Sequence, residues 1–152
     1  MFKRLLAVTA ALMLVLPATA LAGLSRSESS LLREMNRARA DHRLAPLRYD
    51  DHLERAARAH SREMLGADVF QHGSFGTRML QFNVTGSLAG ENLAWGTGFR
   101  GSAKGIVAAW LNSPEHRANL LRPSFTRVGI GDLVGSFQGY GGANVVTADF
   151  AG

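Results

Sequence analysis

The stretch VGIGDLVGSFQGYGGANVVTADF, residues 128–150, predicts a β-hairpin near the end of the chain. In its second half the apolar residues Val146, Ala148 and Phe150 recur at every second position, as they do on one face of a strand. The glycine-rich segment at 136–144 is typical of a turn between two strands. We therefore expect the chain to finish in two paired antiparallel strands.

Three amphipathic helices are predicted upstream of this hairpin. Each follows a side chain that can cap the N-terminus of a helix. The capping residues are Ser27, Asp50 or Asp51, and Ser102. Apolar residues then recur at a spacing of three to four, as Leu31, Met35 and Ala38 do in the first helix. The second helix is expected to end near Gly66 and the third at Ser113. Helices followed by a terminal hairpin predict an α+β layered domain.

The segment at 67–100 is predicted to be largely irregular. Glycines interrupt its apolar pattern, and only residues 77–82 have helical spacing. A long irregular stretch in a compact domain is usually functional. Its aromatic side chains are expected to offer apolar surface to a ligand. They are Phe70, Phe75, Phe82, Trp95 and Phe99.

The N-terminus is typical of a secretory signal peptide. Lys3 and Arg4 precede an uncharged apolar run at 5–16, and Ala20 and Ala22 occupy the small-residue positions that a signal peptidase needs. The run is shorter than the ~20 residues that span a bilayer. We therefore expect cleavage after Ala22, so that 1–22 is a signal peptide and the protein is secreted or periplasmic, with no membrane span afterwards.

The remaining chain is interpreted as one domain. Residues 23–29 are expected to form a short N-terminal lead and residues 30–152 the folded domain, because no repeat or linker divides them. The sequence contains no cysteine, which excludes thiol catalysis and cysteine-ligated zinc. Its formal net charge is +5, but the basic residues are spread along the chain, so nucleic acid is not an expected partner. We expect a monomer.

Three polar residues are the main candidates for a site. His72, Glu91 and His116 each lie beside or close to glycine or proline, and we place them in turns or at helix edges. Side chains held by loops can converge on one cleft. Two imidazoles and a carboxylate can hold a divalent metal such as zinc and leave a position open for water. Alternatively, the three form a hydrogen-bonded polar cluster in which Glu91 orients a histidine.

The residues around His116 are assigned supporting roles. Ser113 is expected to cap a short helix that begins at Pro114, which places His116 in the first turn of that helix. Three further residues are interpreted as supports for the loops around the cleft. They are Asn92, Arg117 and Asn119. His60 lies on the apolar stripe of the second helix and is expected to be a buried structural residue.

Five segments in order resemble the bacterial branch of the CAP superfamily, which comprises cysteine-rich secretory proteins, antigen 5 and pathogenesis-related 1 and is also called the SCP domain. The segments are LLREMNRARADHRLAPLRYDDHLERAARAHSREM, FQH, GENLAWG, IVAAWLNSPEHRANLL and RVGIG. The resemblance covers residues 30–150. It implies an α-β-α sandwich in which helices flank a small antiparallel sheet, with His72, Glu91 and His116 facing an open cleft. Ser113 stands where eukaryotic members usually carry a second glutamate, and their Gly-His-Tyr-Thr-Gln block is absent.

The resemblance points to binding more than to turnover, because relatives are credited with sterol, fatty-acid or polysaccharide binding. The first interpretation is an exported binding module whose cleft at His72, Glu91, Ser113 and His116 takes a lipid or an envelope polysaccharide. The alternative is a hydrolase, a protease or esterase, either metal-assisted or serine-based through Ser113 with His116. A structural envelope protein without a ligand is the third reading.

Overall fold

A computed structural model describes residues 23–152, and the signal peptide expected at 1–22 lies outside these residues. The elements in chain order are α1 Arg26–Asp41, β1 Arg48–Tyr49, α2 Asp51–Ala67, α3 Phe75–Gln81, β2 Ala89–Gly96, α4 Gly98–Gly101, α5 Ala103–Asn112, α6 Pro114–Leu120, β3 Arg127–Phe137 and β4 Tyr140–Ala151. The predicted combination of helices and a terminal hairpin is confirmed. Within residues 23–152, no helix combines the length and the apolar character that a membrane crossing requires.

The four strands form one sheet in the order β1-β3-β4-β2. The predicted hairpin is β3 and β4, and its turn is only Gln138 and Gly139, both with positive φ, at 50° and 80°. Such a pair of left-handed residues suits a tight hairpin, because its twist matches that of the strands. The two-residue β1 pairs in parallel with β3, whereas the other pairings are antiparallel. The sheet is therefore mixed, not antiparallel throughout.

Helices cover both faces of the sheet, so the expected layered sandwich is confirmed. Helices α1 and α5 pack on the face that carries Val146, Ala148 and Phe150. Helix α2 covers the opposite face and approaches β3 closely at two glycines. A Cβ added to Gly129 would stand 2.0 Å from the backbone nitrogen of Glu54. The absence of a side chain there lets the helix and the sheet come into contact.

Helix α1 begins earlier than its sequence pattern suggests. Its N-cap is Ser25, not Ser27, and Ser25 forms a reciprocal capping box with Glu28. The buried carboxylate of Glu28 also pairs with Arg58 of α2. Residues 26–29 are therefore the first turn of α1, and the lead expected at 23–29 overlaps this helix.

The segment at 67–100 contains a strand that the sequence pattern does not reveal. Strand β2 pairs with β4 along its whole length. Its consecutive residues Glu91, Asn92 and Leu93 are all buried, because helices cover both faces of the strand at this point. A strand buried on both faces has no polar-apolar alternation, so the pattern that predicts β4 is missing here. The helix expected at 77–82 is present as α3.

Candidate functional site

Glu91 lies on the edge strand β2, not in a turn as its neighbouring glycine suggested. Strand β4 is the only neighbour of β2 among the described strands, and Asp149 of β4 stands directly opposite Glu91. The side chain of Glu91 is directed toward α2 and α3, where it meets His60 and Arg78. An edge strand can bring residues from several elements together, because only one of its sides is occupied by the sheet.

The carboxylate of Glu91 holds an exposed imidazole. Nδ1 of His72 donates to Oε1 of Glu91 at 2.7 Å. The side chain of His72 is 60% exposed, whereas that of Glu91 is 3% exposed. The hydrogen bond selects the tautomer protonated at Nδ1 and leaves Nε2 of His72 as the acceptor. The geometry matches the reading in which Glu91 orients a histidine.

Glu91 is charge-compensated by Arg78 of α3. Nη2 of Arg78 forms an ion pair with Oε2 of Glu91. Nη1 of the same guanidinium lies 3.4 Å from the backbone oxygen of His72. Burying a carboxylate is costly unless it is paired and hydrogen-bonded. The ion pair with Arg78 therefore offsets the cost of burying the carboxylate of Glu91.

His60 is buried, as its position on the apolar stripe of α2 predicts. Its Nε2 lies 2.8 Å from the backbone oxygen of Gln71, to which it donates. The same nitrogen lies 3.9 Å from Oε2 of Glu91. His60 is thus a core residue that also fixes the loop carrying His72.

Asp149 lies beside Glu91 in the protein interior and is fully buried. Its two carboxyl oxygens accept no hydrogen bond from any residue in 23–152, and Nη2 of Arg78 lies 4.0 Å from Oδ1. Burial raises the pKa of Asp149 well above the ordinary value, and the negative charge of Glu91 raises this pKa further. A protonated Asp149 can donate to Glu91, whereas an ionised one would lack a donor. The surroundings of Asp149 therefore favour its protonated form.

Two asparagines tie α6 to the edge of β2. Nδ2 of Asn92 donates to the backbone oxygen of His116 at 2.8 Å. Nδ2 of Asn119 lies 3.1 Å from the backbone oxygen of Glu91 and 3.1 Å from Oδ1 of Asn92. These contacts fit the supporting role expected of Asn92 and Asn119. Arg117 is exposed and makes no side-chain hydrogen bond to any residue in the described range 23–152, so the structure shows no loop contact for it.

A tryptophan covers the next carbonyl of the same edge. Nε1 of Trp110 donates to the backbone oxygen of Leu93 at 2.9 Å, inside the core. Together with Asn119, it satisfies carbonyls of β2 by side chains instead of by a further strand. Covering an edge in this way protects it against pairing with another chain.

Ser113 and His116 form a hydrogen-bonded pair at the start of α6. Oγ of Ser113 lies 2.9 Å from Nδ1 of His116. Ser113 has the N-cap position and Pro114 the first helical position, as expected, but the Ser113 hydroxyl makes no capping bond to the helix. The expectation that this hydroxyl caps backbone amides of the helix is therefore wrong, because the hydroxyl is hydrogen-bonded to the imidazole of His116 instead.

Burial favours the neutral form of the His116 imidazole. Burial lowers the pKa of His116, and the nearby His72 lowers this pKa further. His72 is bonded to Glu91 and the backbone of His116 is bonded to Asn92, so both residues are anchored at adjacent positions of β2, and we call the surface at this edge the cleft. The cleft therefore presents two imidazoles and the hydroxyl of Ser113.

The zinc site expected from His72, Glu91 and His116 is not formed. Within residues 23–152, no group of three or more histidine, aspartate or glutamate side chains is arranged to hold a metal ion. The physical reason is at Glu91, where Oε1 accepts from His72 and Oε2 pairs with Arg78. The nitrogen of His72 nearest to Glu91 carries a proton and cannot serve as a ligand. Glu91 is therefore not available as a direct ligand, whereas Nε2 of His72 is not used by the bond to Glu91.

Arg78 and Asp149 are the site residues that sequence reasoning missed. Arg78 lies in a short helix of an apparently irregular segment, where an arginine is ordinarily solvated, so no local signal marks it. Asp149 had a signal, because it is an acidic residue inside the otherwise apolar strand pattern VVTADF. A buried acid in such a strand indicates a specific environment.

Two cavities lie outside the cleft, since neither is lined by His72, Glu91, Ser113 or His116. One cavity of about 300 Å³ lies between α2 and α3. Its lining residues are Ala59, Glu63, Ser74, Thr77, Arg78, Gln81 and Phe82. A larger cavity of about 490 Å³ lies between α1, α4 and the sheet, and none of the cleft residues line it. Of the aromatic residues expected to face a ligand, Phe70 and Phe99 are exposed, whereas Trp95 packs against Phe137.

Comparison with known proteins connects this fold to one family. The sequence model described as "CAP: Cysteine-rich secretory protein family" matches residues 32–150. The chain is 36% identical over 112 residues to YkwD of Bacillus subtilis (strain 168), described as an uncharacterized protein, and the match covers 70% of this chain and 42% of YkwD.

Two solved bacterial structures share the fold. An extracellular SCP-domain protein of Bacillus anthracis (strain Ames) is 30% identical with a TM-score of 0.66, covering 82% of this chain and 40% of that one. An outer surface protein of Borrelia burgdorferi is 25% identical with a TM-score of 0.67, covering 80% of this chain and 89% of that one. The chain thus spans less than half of YkwD and of the B. anthracis protein, and most of the Borrelia protein.

Proposed function

Because the chain belongs to the cysteine-rich secretory protein (CAP) family, we propose that it is an exported, monomeric binding module for a polar ligand of the cell envelope. The ligand class is a polysaccharide, bound at the cleft that His72, Ser113 and His116 line. Two structural relatives support export, since one is described as extracellular and the other as an outer surface protein. Residues 1–22 are the proposed export signal, and N-terminal sequencing of the exported protein should begin at Gly23.

The observation that carries the proposal is the fixed yet exposed imidazole of His72. A surface side chain ordinarily keeps its rotamer freedom, which is lost when it is ordered. Here the ring is 60% exposed and is nevertheless held by a buried carboxylate that needs Arg78 as its counterion. Holding an exposed ring in one orientation benefits recognition, because the ligand then meets a preorganised hydrogen-bonding group.

The groups around His72 favour a polysaccharide over a lipid. The imidazole of His116 and the hydroxyl of Ser113 are hydrogen-bonding groups that suit sugar hydroxyls. Phe70, two positions before His72, is 44% exposed and can stack on a sugar ring. The cavity between α2 and α3 is lined mainly by polar side chains. A lipid-like ligand would be better served by an apolar pocket.

Co-sedimentation with purified bacterial sacculi tests the proposal. The wild-type protein should bind, and His72→Ala should weaken binding about tenfold, the cost of roughly one good hydrogen-bonding group. His42→Ala is the matched control, because His42 is an exposed histidine at the end of α1 and should not affect binding. Equal binding by wild type and His72→Ala would refute the proposal. Binding to palmitate-loaded or sterol-loaded vesicles instead of sacculi would favour the lipid reading.

A serine hydrolase is the second candidate, favoured by one observation. Oγ of Ser113 lies 2.9 Å from Nδ1 of His116, and burial lowers the pKa of this imidazole, so its neutral form can accept the hydroxyl proton as Ser113 attacks an ester. The rate of p-nitrophenyl acetate hydrolysis should then fall to background in Ser113→Ala. If Ser113→Ala and wild type hydrolyse the ester equally fast, the hydrolase reading is excluded. The metal-assisted version is not favoured, because Glu91 is occupied by Arg78.

A further inference from the structure

The cavity of about 490 Å³ is a second candidate site, away from the cleft. It opens between α1, α4, the start of α5 and the strands β3 and β4. Its volume lies in the range of about 300–1,000 Å³ that is typical of sites for small molecules. Among the described residues, none with an apolar side chain larger than that of Ala103 lines it, whereas three serines and several charged residues do. The lining therefore suits a small polar ligand.

Asp132 of β3 is the most buried charged residue of this lining. Its exposed fraction is 9%, and Nδ2 of Asn144 donates to its Oδ1 at 2.8 Å. Burial raises the pKa of Asp132, hydrogen bonds from Asn144 and Ser27 lower it in part, and the negative charge of Glu28 raises it again. No cation within residues 23–152 is among the groups that act on this pKa. The carboxyl group is thus buried beside the cavity without a positively charged partner.

The other buried acids of the protein are compensated in a different way. Within residues 23–152, each of them has an arginine nitrogen within 4.0 Å of a carboxylate oxygen. They are Glu28, Glu54, Glu91 and Asp149. Asp132 differs from all of them in lacking that arginine and in lining a cavity large enough for a ligand. Because an opposite charge nearby stabilises a buried carboxylate, a positively charged ligand group would supply the missing partner.

Two basic side chains border the same cavity. Arg33 of α1 and Lys104 of α5 are both exposed, and Arg33 donates from Nη2 to Oγ of Ser30 at 2.8 Å. The half-buried Glu34 also contributes to the lining. The cavity thus combines a buried acid with exposed bases at its border. Such an arrangement suits a molecule that carries one positive and one negative group, because each group then meets its opposite charge.

We propose that this cavity binds a small zwitterion, a free amino acid or a short peptide. The ammonium group of the ligand pairs with Asp132, which Asn144 holds in place, and its carboxylate pairs with Lys104 and Arg33. An ammonium group donates up to three hydrogen bonds, which the carboxylate of Asp132 and the neighbouring serine hydroxyls can accept. This site is additional to the polysaccharide site proposed above and uses none of its residues.

Isothermal calorimetry with L-alanine, L-alanyl-L-alanine and the N-acetylated dipeptide tests the proposal. Wild type should bind at least one of the two free ligands saturably, and the tighter of them identifies the ligand as an amino acid or a peptide. N-acetylation removes the positive charge and should weaken binding of the dipeptide at least about tenfold. Equal binding of the free and the acetylated dipeptide would overturn the proposal. So would the absence of binding to wild type of both free ligands at concentrations up to about 10 mM.

Two substitutions of an acid by its amide locate the site. Asp132→Asn keeps the shape of the side chain, removes its charge, and should weaken binding of the preferred ligand at least about tenfold. Asp51→Asn is the matched control, because the side chain of Asp51 is 66% exposed and lies outside the cavity, and this variant should bind like wild type. Equal affinities of wild type and Asp132→Asn would contradict the assignment of Asp132.

NMR of wild type covers the case in which Asp132→Asn does not fold. The side-chain amide signal of Asn144 should shift when L-alanine or L-alanyl-L-alanine is added, and it should stay unchanged with the N-acetylated dipeptide. A signal that none of the three compounds shifts would contradict the proposal. His72→Ala should bind the zwitterion as wild type does. The measurement involves no sacculi, so this proposal and the proposed polysaccharide binding fail independently.

Discussion

Replacing Asp149 by asparagine should change how the stability of the protein depends on pH. Asp149 is fully buried next to Glu91, and burial together with the charge of Glu91 raises its pKa well above the ordinary value. Asparagine has nearly the same shape, cannot ionise, and can still donate to Glu91. The substitution therefore removes the titration and leaves the packing in place.

The sign and size of the effect follow from proton linkage. Above the ordinary aspartate pKa, the unfolded chain has released this proton, whereas the folded protein keeps it until the pH reaches the raised pKa. The free energy of unfolding of wild type therefore falls as pH rises through this interval, by up to about 1.4 kcal/mol per pH unit. Between pH 5 and pH 8 the advantage of Asp149→Asn over wild type should grow by up to about 4 kcal/mol.

Urea unfolding at pH 5, 6.5 and 8, followed by circular dichroism, measures this difference. All other titrating groups are common to both proteins, so their contributions cancel. Asp50→Asn is the control, because the pKa of Asp50 is shifted in the opposite direction to that of Asp149. Burial opposes the ionisation of Asp50, but hydrogen bonds from Leu53 and Arg127 outweigh it and lower the pKa. Its contribution is present above the ordinary aspartate pKa and is lost only in acid, so the Asp50→Asn curve should lie below wild type and parallel to it.

Parallel curves for wild type and Asp149→Asn would refute the reasoning. That result would mean that Asp149 is ionised in the folded protein and that Arg78, 4.0 Å away, stabilises the charge despite the burial. A gap that narrows with rising pH would contradict the assigned direction of the pKa shift.

Three further substitutions test how the fold supports the cleft, and thermal or urea unfolding measures each of them. Gly129→Ala places a Cβ 2.0 Å from the backbone of α2 and should destabilise the protein by about 2–3 kcal/mol or more, whereas Gly141→Ala, with nothing within 4 Å, should change stability by less than about 0.5 kcal/mol. Similar losses in both would contradict the close contact of α2 and β3. Trp110→Phe should cost about 1–3 kcal/mol, because the buried carbonyl of Leu93 loses its donor, and an unchanged unfolding curve would show that this bond is dispensable. Arg39→Met should cost about 3 kcal/mol or more, because the buried guanidinium donates to four backbone carbonyls, and a neutral outcome would mean that water replaces it.

Local patterns in the sequence were sufficient for most of the elements. The apolar spacing of Leu31, Met35 and Ala38 predicts α1, and the alternation at Val146, Ala148 and Phe150 predicts β4, because each element buries one face and exposes the other. The capping roles of Asp50 and Ser102 are also confirmed. Strand β2 was not predicted, because it is covered on both faces and has no alternating pattern. The N-cap of α1 is Ser25 and not the predicted Ser27, because Glu28 completes a capping box with Ser25.

The site was only partly accessible from the sequence. Histidines and acids beside glycine or proline identified His72, Glu91 and His116, and the structure joins His72 directly to Glu91. The hydrogen-bonded cluster around Glu91 depends on Arg78, which lies 13 positions from Glu91. No periodicity relates these two residues, so the sequence does not indicate that they pair.

The chain by itself determined the helices, the terminal hairpin and the polar residues available for chemistry, because these depend on side chains close together in sequence. Only the tertiary structure decided that β2 forms the edge of the sheet, that Arg78 compensates Glu91, and that Asp149 is buried behind them with no hydrogen-bond donor among the described residues. These features arise where distant segments meet out of contact with water. There the cost of burying a charge selects the partner, and that cost exists only once the chain has folded.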